Sequence, residues 1–214
     1  SAQMTDAPPP PLQRGLLATI RGLLLAVPAM ALFCARDPIF GIPFAPDALF
    51  PNVVWRNYAF RSLIELAFCL WVVVAWANPR YRPRITWMVA VYASFLVVLA
   101  AANWLGPRPS YSFWGNYERM EGWVGHVHLF AFFLLCGSVF DRPVWWRRFF
   151  AVSLIACAIV VVFSLGQFVL ATLKSAGYYE GKVFHQGVRV EDESHGYFRI
   201  DALIAQPVYL GMYM

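Results

Sequence analysis

The chain has 214 residues, of which 60% are hydrophobic and 17% aromatic, while only 14% carry a charge. A soluble domain has roughly a quarter of its residues charged, so this composition, with a mean hydropathy of +0.54, excludes an ordinary soluble globule and indicates an all-α polytopic membrane protein. The formal net charge of +5 does not indicate nucleic acid as a partner, because most of the arginine excess sits in short loops between apolar segments.

Residues 1–14 are polar and contain four prolines in a row, Pro8 to Pro11. They read as an extended, flexible tail, and 15–214 reads as a transmembrane domain. Gly15 to Ala35 is apolar apart from Arg21 and long enough to span about 30 Å of hydrocarbon. A signal peptide would have a shorter apolar core, so this is expected to be an uncleaved first helix. Arg36 to Arg56 is rich in proline and phenylalanine and is expected to hug the membrane surface.

The second span, Asn57 to Ala77, contains Arg61 and Glu65. Four residues apart, they share a helix face and are expected to pair, either as a local ion pair or as the lining of a polar cavity. Arg80, Arg82 and Arg84 follow in a tight turn, and Ile85 to Leu105 forms an uncharged third span. The fourth, Gly122 to Phe140, holds His126 and His128. Two positions on a helix differ by about 200°, so the two rings cannot converge on one metal or haem. The sequence predicts one cavity-lining histidine and one hydrogen-bonded at a helix interface.

A second basic turn, 141–148, carries Arg142, Arg147 and Arg148 with Trp145 and Trp146, and leads into a fifth span, Phe149 to Leu173. The loop 174–198 is polar and includes Glu191, Asp192 and Glu193; a sixth apolar segment starts near Ile200 and reaches Met214. That stretch is too short to cross, which predicts a chain truncated in its sixth helix, after five complete spans. Cys34, Cys69, Cys136 and Cys157 lie inside apolar segments without a Cys-x-x-Cys or His-Cys pattern, so neither a disulfide framework nor a metal site is indicated, and no cofactor is expected. The two arginine turns lie two spans apart and agree in sign, which predicts that both are cytoplasmic, as is the N-terminus.

The most polar cluster then faces outward. Ser112-Phe113-Trp114-Gly115-Asn116-Tyr117-Glu118-Arg119-Met120-Glu121-Gly122 stands immediately before the fourth span. It reads equally as an interfacial belt, with Trp114 and Tyr117 at headgroup depth, and as a ligand-handling site, since charges held beside hydrocarbon are costly.

This motif, followed by a His-Leu-Phe-containing apolar helix, resembles the O-antigen ligase/polymerase superfamily of bacterial membrane glycosyltransferases. A second stretch is similar to the same family: Arg199-Ile-Asp-Ala-Leu-Ile-Ala-Gln-Pro keeps the Arg-to-Pro spacing up to Pro207. It departs at Ala202, where glycine is usual, and at Ala205-Gln206, where Gly-Asn is usual. The resemblance implies a metal-independent, inverting transfer of a glycan from a polyprenyl diphosphate to an acceptor, either lipid A-core, another glycan or a protein. Such a reaction belongs to lipopolysaccharide biosynthesis at the outer face of the bacterial inner membrane. Substrate-binding residues are then expected among Arg119, Arg199, Glu118, Glu121, Trp114, Tyr117 and Gln206, with guanidinium forks holding the diphosphate. The family's catalytic histidine has no match here, and His185 and His195 lie in an earlier loop. The alternative is a non-enzymatic membrane module, such as a transporter half or an assembly subunit, completed by a missing C-terminal half or other subunits.

Overall fold

The computed structural model describes residues 10–32, 51–115, 122–175, 188–190 and 198–200. These are helical almost throughout: α1 (Pro11–Ala29), α2 (Pro51–Ala77), α3 (Trp87–Leu105), the short α4 (Pro109–Trp114), α5 (Trp123–Val139) and α6 (Pro143–Ser175). The all-α expectation holds for the helical body, and one small ribbon accompanies it, with β1 (Val188–Val190) antiparallel to β2 (Phe198–Ile200).

Three of the helical stretches, Arg56–Ala77, Trp87–Leu105 and Pro143–Gly166, are long and apolar enough to cross a membrane, and α5 is a shorter apolar helix. Their outward faces are hydrocarbon: Val73, Val97, Val98, Leu154, Ile155 and Val162 are all exposed. Large contiguous apolar surface of this kind is covered by lipid in a membrane protein. Along α3, Trp87 and Trp104 are both exposed. They lie roughly 26 Å apart at about 1.5 Å per residue, close to the thickness of a hydrocarbon core, as two aromatic belts require.

The α1 helix differs from its expected limits. It starts at Pro11, inside the stretch read as tail, and ends at Ala29 with Pro28 in its last turn. Proline at the first position suits a helix start because its missing N–H needs no partner there. The buried face of α1 is the stripe Gln13, Leu17, Ile20 and Leu24, whose steps of three and four residues keep one side toward the core. It meets Ile64, Ala67, Trp71 and Val74 of α2 and Leu135, Cys136 and Val139 of α5. The indole of Trp71 donates to the carbonyl of Tyr81 at 2.9 Å, folding the arginine turn back onto α2.

The second basic stretch is also partly reassigned. Pro143 starts α6, so Trp145, Trp146, Arg147 and Arg148 ride on its first turns instead of forming a loop. Arg80 Nη2 lies 3.3 Å from Asp141 Oδ2, which places the 78–84 and 141–142 turns at one end of the helix set. Since α3 leaves that end and α5 returns to it, Leu105 and Trp123 lie toward the other end.

Candidate functional site: an aromatic cavity beside a close glycine contact

The end opposite the arginines is built unevenly. The indole of Trp123, first residue of α5, donates to the carbonyl of Leu96 in the middle of α3 at 3.0 Å. Further along the same helix pair, His126 meets Phe95 with ring centroids 6.0 Å apart, and Phe130 meets Tyr92 at 5.1 Å. The start of α5 is therefore recessed below the end of α3. The last turns of α3 lack α5 as a neighbour, and α4 lies across the gap, held where the Asn103 side-chain amide donates to Ser112 O at 3.3 Å.

Between them is a cavity of about 470 Å³ lined by Ala100, Asn103, Trp104, Pro109, Ser110, Phe113, Trp114 and Trp123. Phe113 stacks on Trp123, centroids 5.2 Å apart and planes 25° from parallel, and meets Trp114 edge to face. Ligand sites commonly take this form, mostly apolar with a few polar groups for orientation. Here Asn103 and Ser110 supply the polarity.

Two glycines meet just beyond the end of α4. Gly115 has φ 79° and ψ −175°, a region open essentially to glycine alone. A methyl group on Gly122 would overlap the Gly115 nitrogen, the Trp114 carbonyl carbon and the Phe113 carbonyl oxygen. The backbone thus meets itself at Gly115 and Gly122, beside the cavity wall.

Among the expected site residues, Trp114 lines this cavity. Tyr117, Glu118, Arg119, Glu121 and Gln206 lie outside the described residues. Arg199 is in β2, paired in register with Arg189. Arg199 itself therefore has strand backbone and is not the first residue of a helix, while the expected sixth apolar segment, 201–214, lies outside the described residues. Asn103, Trp104, Phe113 and Trp123 were not expected as site residues. Asn103 carried the one available signal, an amide near the end of an otherwise uncharged apolar span.

The polar residues within the helices add one contact to those expected. Glu65 Oε1 lies 2.9 Å from His128 Nε2, joining α2 to α5. His128 Nδ1 lies 2.7 Å from the carbonyl of Val124, so both ring nitrogens are engaged. His128 is the interface histidine, and it shares Glu65 with Arg61, whose guanidinium interacts electrostatically with that carboxylate as the four-residue spacing predicts. His126 Nδ1 lies 3.2 Å from Gly122 O, anchoring its ring against the first turn of α5. Among the described residues no group of His, Cys, Asp or Glu could hold a metal ion.

No protein-family model, curated protein or solved structure matches the chain. The functional reading therefore rests on the motif residues and on this geometry.

Proposed function

We propose that this membrane protein transfers a glycan from a polyprenyl-diphosphate carrier to a glycan, lipid or protein acceptor, in the manner of O-antigen ligases and polymerases. The observation that supports the reading is the contact of Gly122 with Gly115 beside an aromatic cavity, since the motif residues Glu118, Arg119 and Glu121 lie between these two glycines in the sequence. A polyprenyl diphosphate has an apolar chain joined to a strongly anionic head, so its site needs hydrocarbon-compatible walls beside cationic donors. Trp104, Phe113, Trp114 and Trp123 supply such walls, and Arg119 is the cation that the loop carries. In this reading Glu118 and Glu121 orient Arg119 or accept from sugar hydroxyls, and Arg199 and Gln206 complete the head-group contacts. No catalytic base is assigned.

The proposal includes five spans with the arginine turns on the cytoplasmic side of a bacterial inner membrane, which turns the cavity outward. The positive-inside tendency supports that orientation. Glycan transfer by the natural gene product, assayed with Arg119→Lys and Arg119→Ala, tests the function. If Arg119 clamps a diphosphate, lysine does not replace it, because a point charge lacks the fork. Normal transfer by both variants leaves Arg119 an interfacial residue and removes the reading.

A second reading, an assembly subunit, is favoured by one observation. The Glu65 side chain is 65% exposed on a membrane-crossing helix, and a carboxylate there calls for a further helix to cover it.

A further inference from the structure

The arginine end is more than a topology signal. One connected cluster joins three segments there. Arg21 of α1 lies 2.9 Å from Asp141 Oδ1, and Arg80 from the turn after α2 lies 3.3 Å from Asp141 Oδ2. The guanidinium carbons of Arg21 and Arg148 stand 4.5 and 4.8 Å from the centroid of the Trp145 ring. The cluster holds three guanidiniums and one carboxylate, and that carboxylate is shared by two of the three. Arg148 has the aromatic ring and no carboxylate partner among the described residues, and the same lack holds for Arg82, Arg84, Arg142 and Arg147. No acidic residue stands in the first turn of α6, whose N-terminal amides also favour an anion. Immediately along α6 the surface turns to hydrocarbon: Val144, Trp146 and Phe150 are exposed. Val144 is one helical turn from Arg148, as Phe150 is from Trp146 and nearly so from Arg147, so cations and exposed apolar groups share faces.

We propose that this cluster is a binding site for the phosphate head of an anionic phospholipid, with Arg80 and Arg148 contacting the phosphate and Val144, Trp146 and Phe150 the upper acyl chain. Two features favour lipid over free phosphate. The cationic excess is unbalanced by carboxylates among the described residues, which gives charge complementarity. The exposed apolar residues directly beside it would meet water if only an ion were bound. Basic pockets between membrane helices take anionic head groups by this combination. The site lies at the opposite end from the aromatic cavity, and it stands or falls independently of the proposed glycan transfer.

The test is native mass spectrometry of the purified chain in mixed micelles containing equal amounts of phosphatidylglycerol and phosphatidylcholine. The expected result is preferential retention of phosphatidylglycerol, weakened roughly fivefold for each arginine removed in Arg80→Gln/Arg148→Gln, which corresponds to about 1 kcal/mol per cation near an anionic surface. Arg108→Gln, at the far end of the molecule, leaves retention unchanged. Melting in phosphatidylcholine-only micelles checks that the double variant is folded; if it is not, Arg148→Gln alone is read in the same way, since Arg148 anchors no hydrogen bond among the described residues. Equal retention of the two lipids, or a phosphatidylglycerol preference that survives the substitutions, overturns the proposal. A parallel titration with inorganic phosphate separates the sources: phosphate that strips the lipid at millimolar concentration would reassign the site to the free ion.

Discussion

Arg21 ties the first helix to the end of the fifth through Asp141. Its Nη2 lies 2.9 Å from the carboxylate, and both Nε and Nη2 lie 3.3 Å from the last helical carbonyl of α5, Val139 O. A cation at a helix C-terminus is favourable in itself, and here it also supplies a donor to a carbonyl that lacks an intrahelical partner. The two side chains are only 15% and 16% exposed, so Asp141→Asn should lower stability by roughly 1.5–3 kcal/mol, the range for hydrogen bonds to charged groups. Arg80→Gln, whose side chain is half exposed, should cost less than about 1 kcal/mol. Thermal unfolding in micelles distinguishes them, and equal small losses would show that Asp141 does not hold these segments together.

The glycine closure makes a sharper claim. Gly122→Ala forces the backbone of residues 113–115 away, and Gly115→Ala places a side chain where ψ and φ suit glycine alone. Each should destabilise by roughly 1–3 kcal/mol, whereas Gly137→Ala, with open space around it, should be close to neutral. Protease cleavage between Gly115 and Gly122 is the direct readout. Unchanged digestion of both glycine variants would mean that this close backbone contact is not needed to protect the segment between them.

The contact between Glu65 and His128 can be isolated by a double-mutant cycle with Glu65→Gln and His128→Ala. Side-chain hydrogen bonds between membrane helices couple by about 0.6 kcal/mol on average and about 1.7 at most. A positive coupling in that range is expected at 2.9 Å. A cycle between Arg61→Gln and Glu65→Gln should show a smaller term. Were the ranking reversed, the helical neighbour would be the principal partner of Glu65.

Because Arg80 and Asp141 meet, the two arginine turns must share a side of the membrane. With the native cysteines replaced by alanine, single cysteines at Arg82 and Arg142 should both be protected from an impermeant thiol reagent on intact cells. A cysteine at Ser110, at the opposite end, should react. Opposite behaviour of Arg82→Cys and Arg142→Cys would contradict the fold; labelling of both would keep the fold and invert the orientation.

Much of the helical plan was legible because long apolar runs and arginine turns are one-dimensional signals. Trp87–Leu105 falls within the expected third span, and α5 within the expected fourth. What was hidden depends on three dimensions. The second partner of Glu65, His128, is set by how α2 faces α5, which spacing along one helix cannot reveal. The start of α6 at Pro143 was obscured by basic residues that read as a turn but ride on a helix. The cavity arises because α5 begins below the end of α3, a vertical offset without any trace in composition. Trp114 and Phe113 were visible within the motif, while Asn103 and Trp104 became site residues only when α4 folded across them. Arg199 illustrates the opposite case: an apolar run after an arginine suggested a helix start, yet Phe198–Ile200 pairs with Val188–Val190 as a strand.

The most direct measurement is photo-cross-linking of the natural gene product, in membranes, to a polyprenyl-diphosphate glycan carrying a diazirine on the isoprenoid unit nearest the diphosphate. Adducts are expected to concentrate on peptides containing Trp104, Phe113, Trp114 and Trp123, to be competed by unlabelled carrier and to be reduced in Gly122→Ala. Adducts confined to the arginine end around Trp145, or spread evenly over the lipid-facing sides of α3 and α6 without competition, would contradict it.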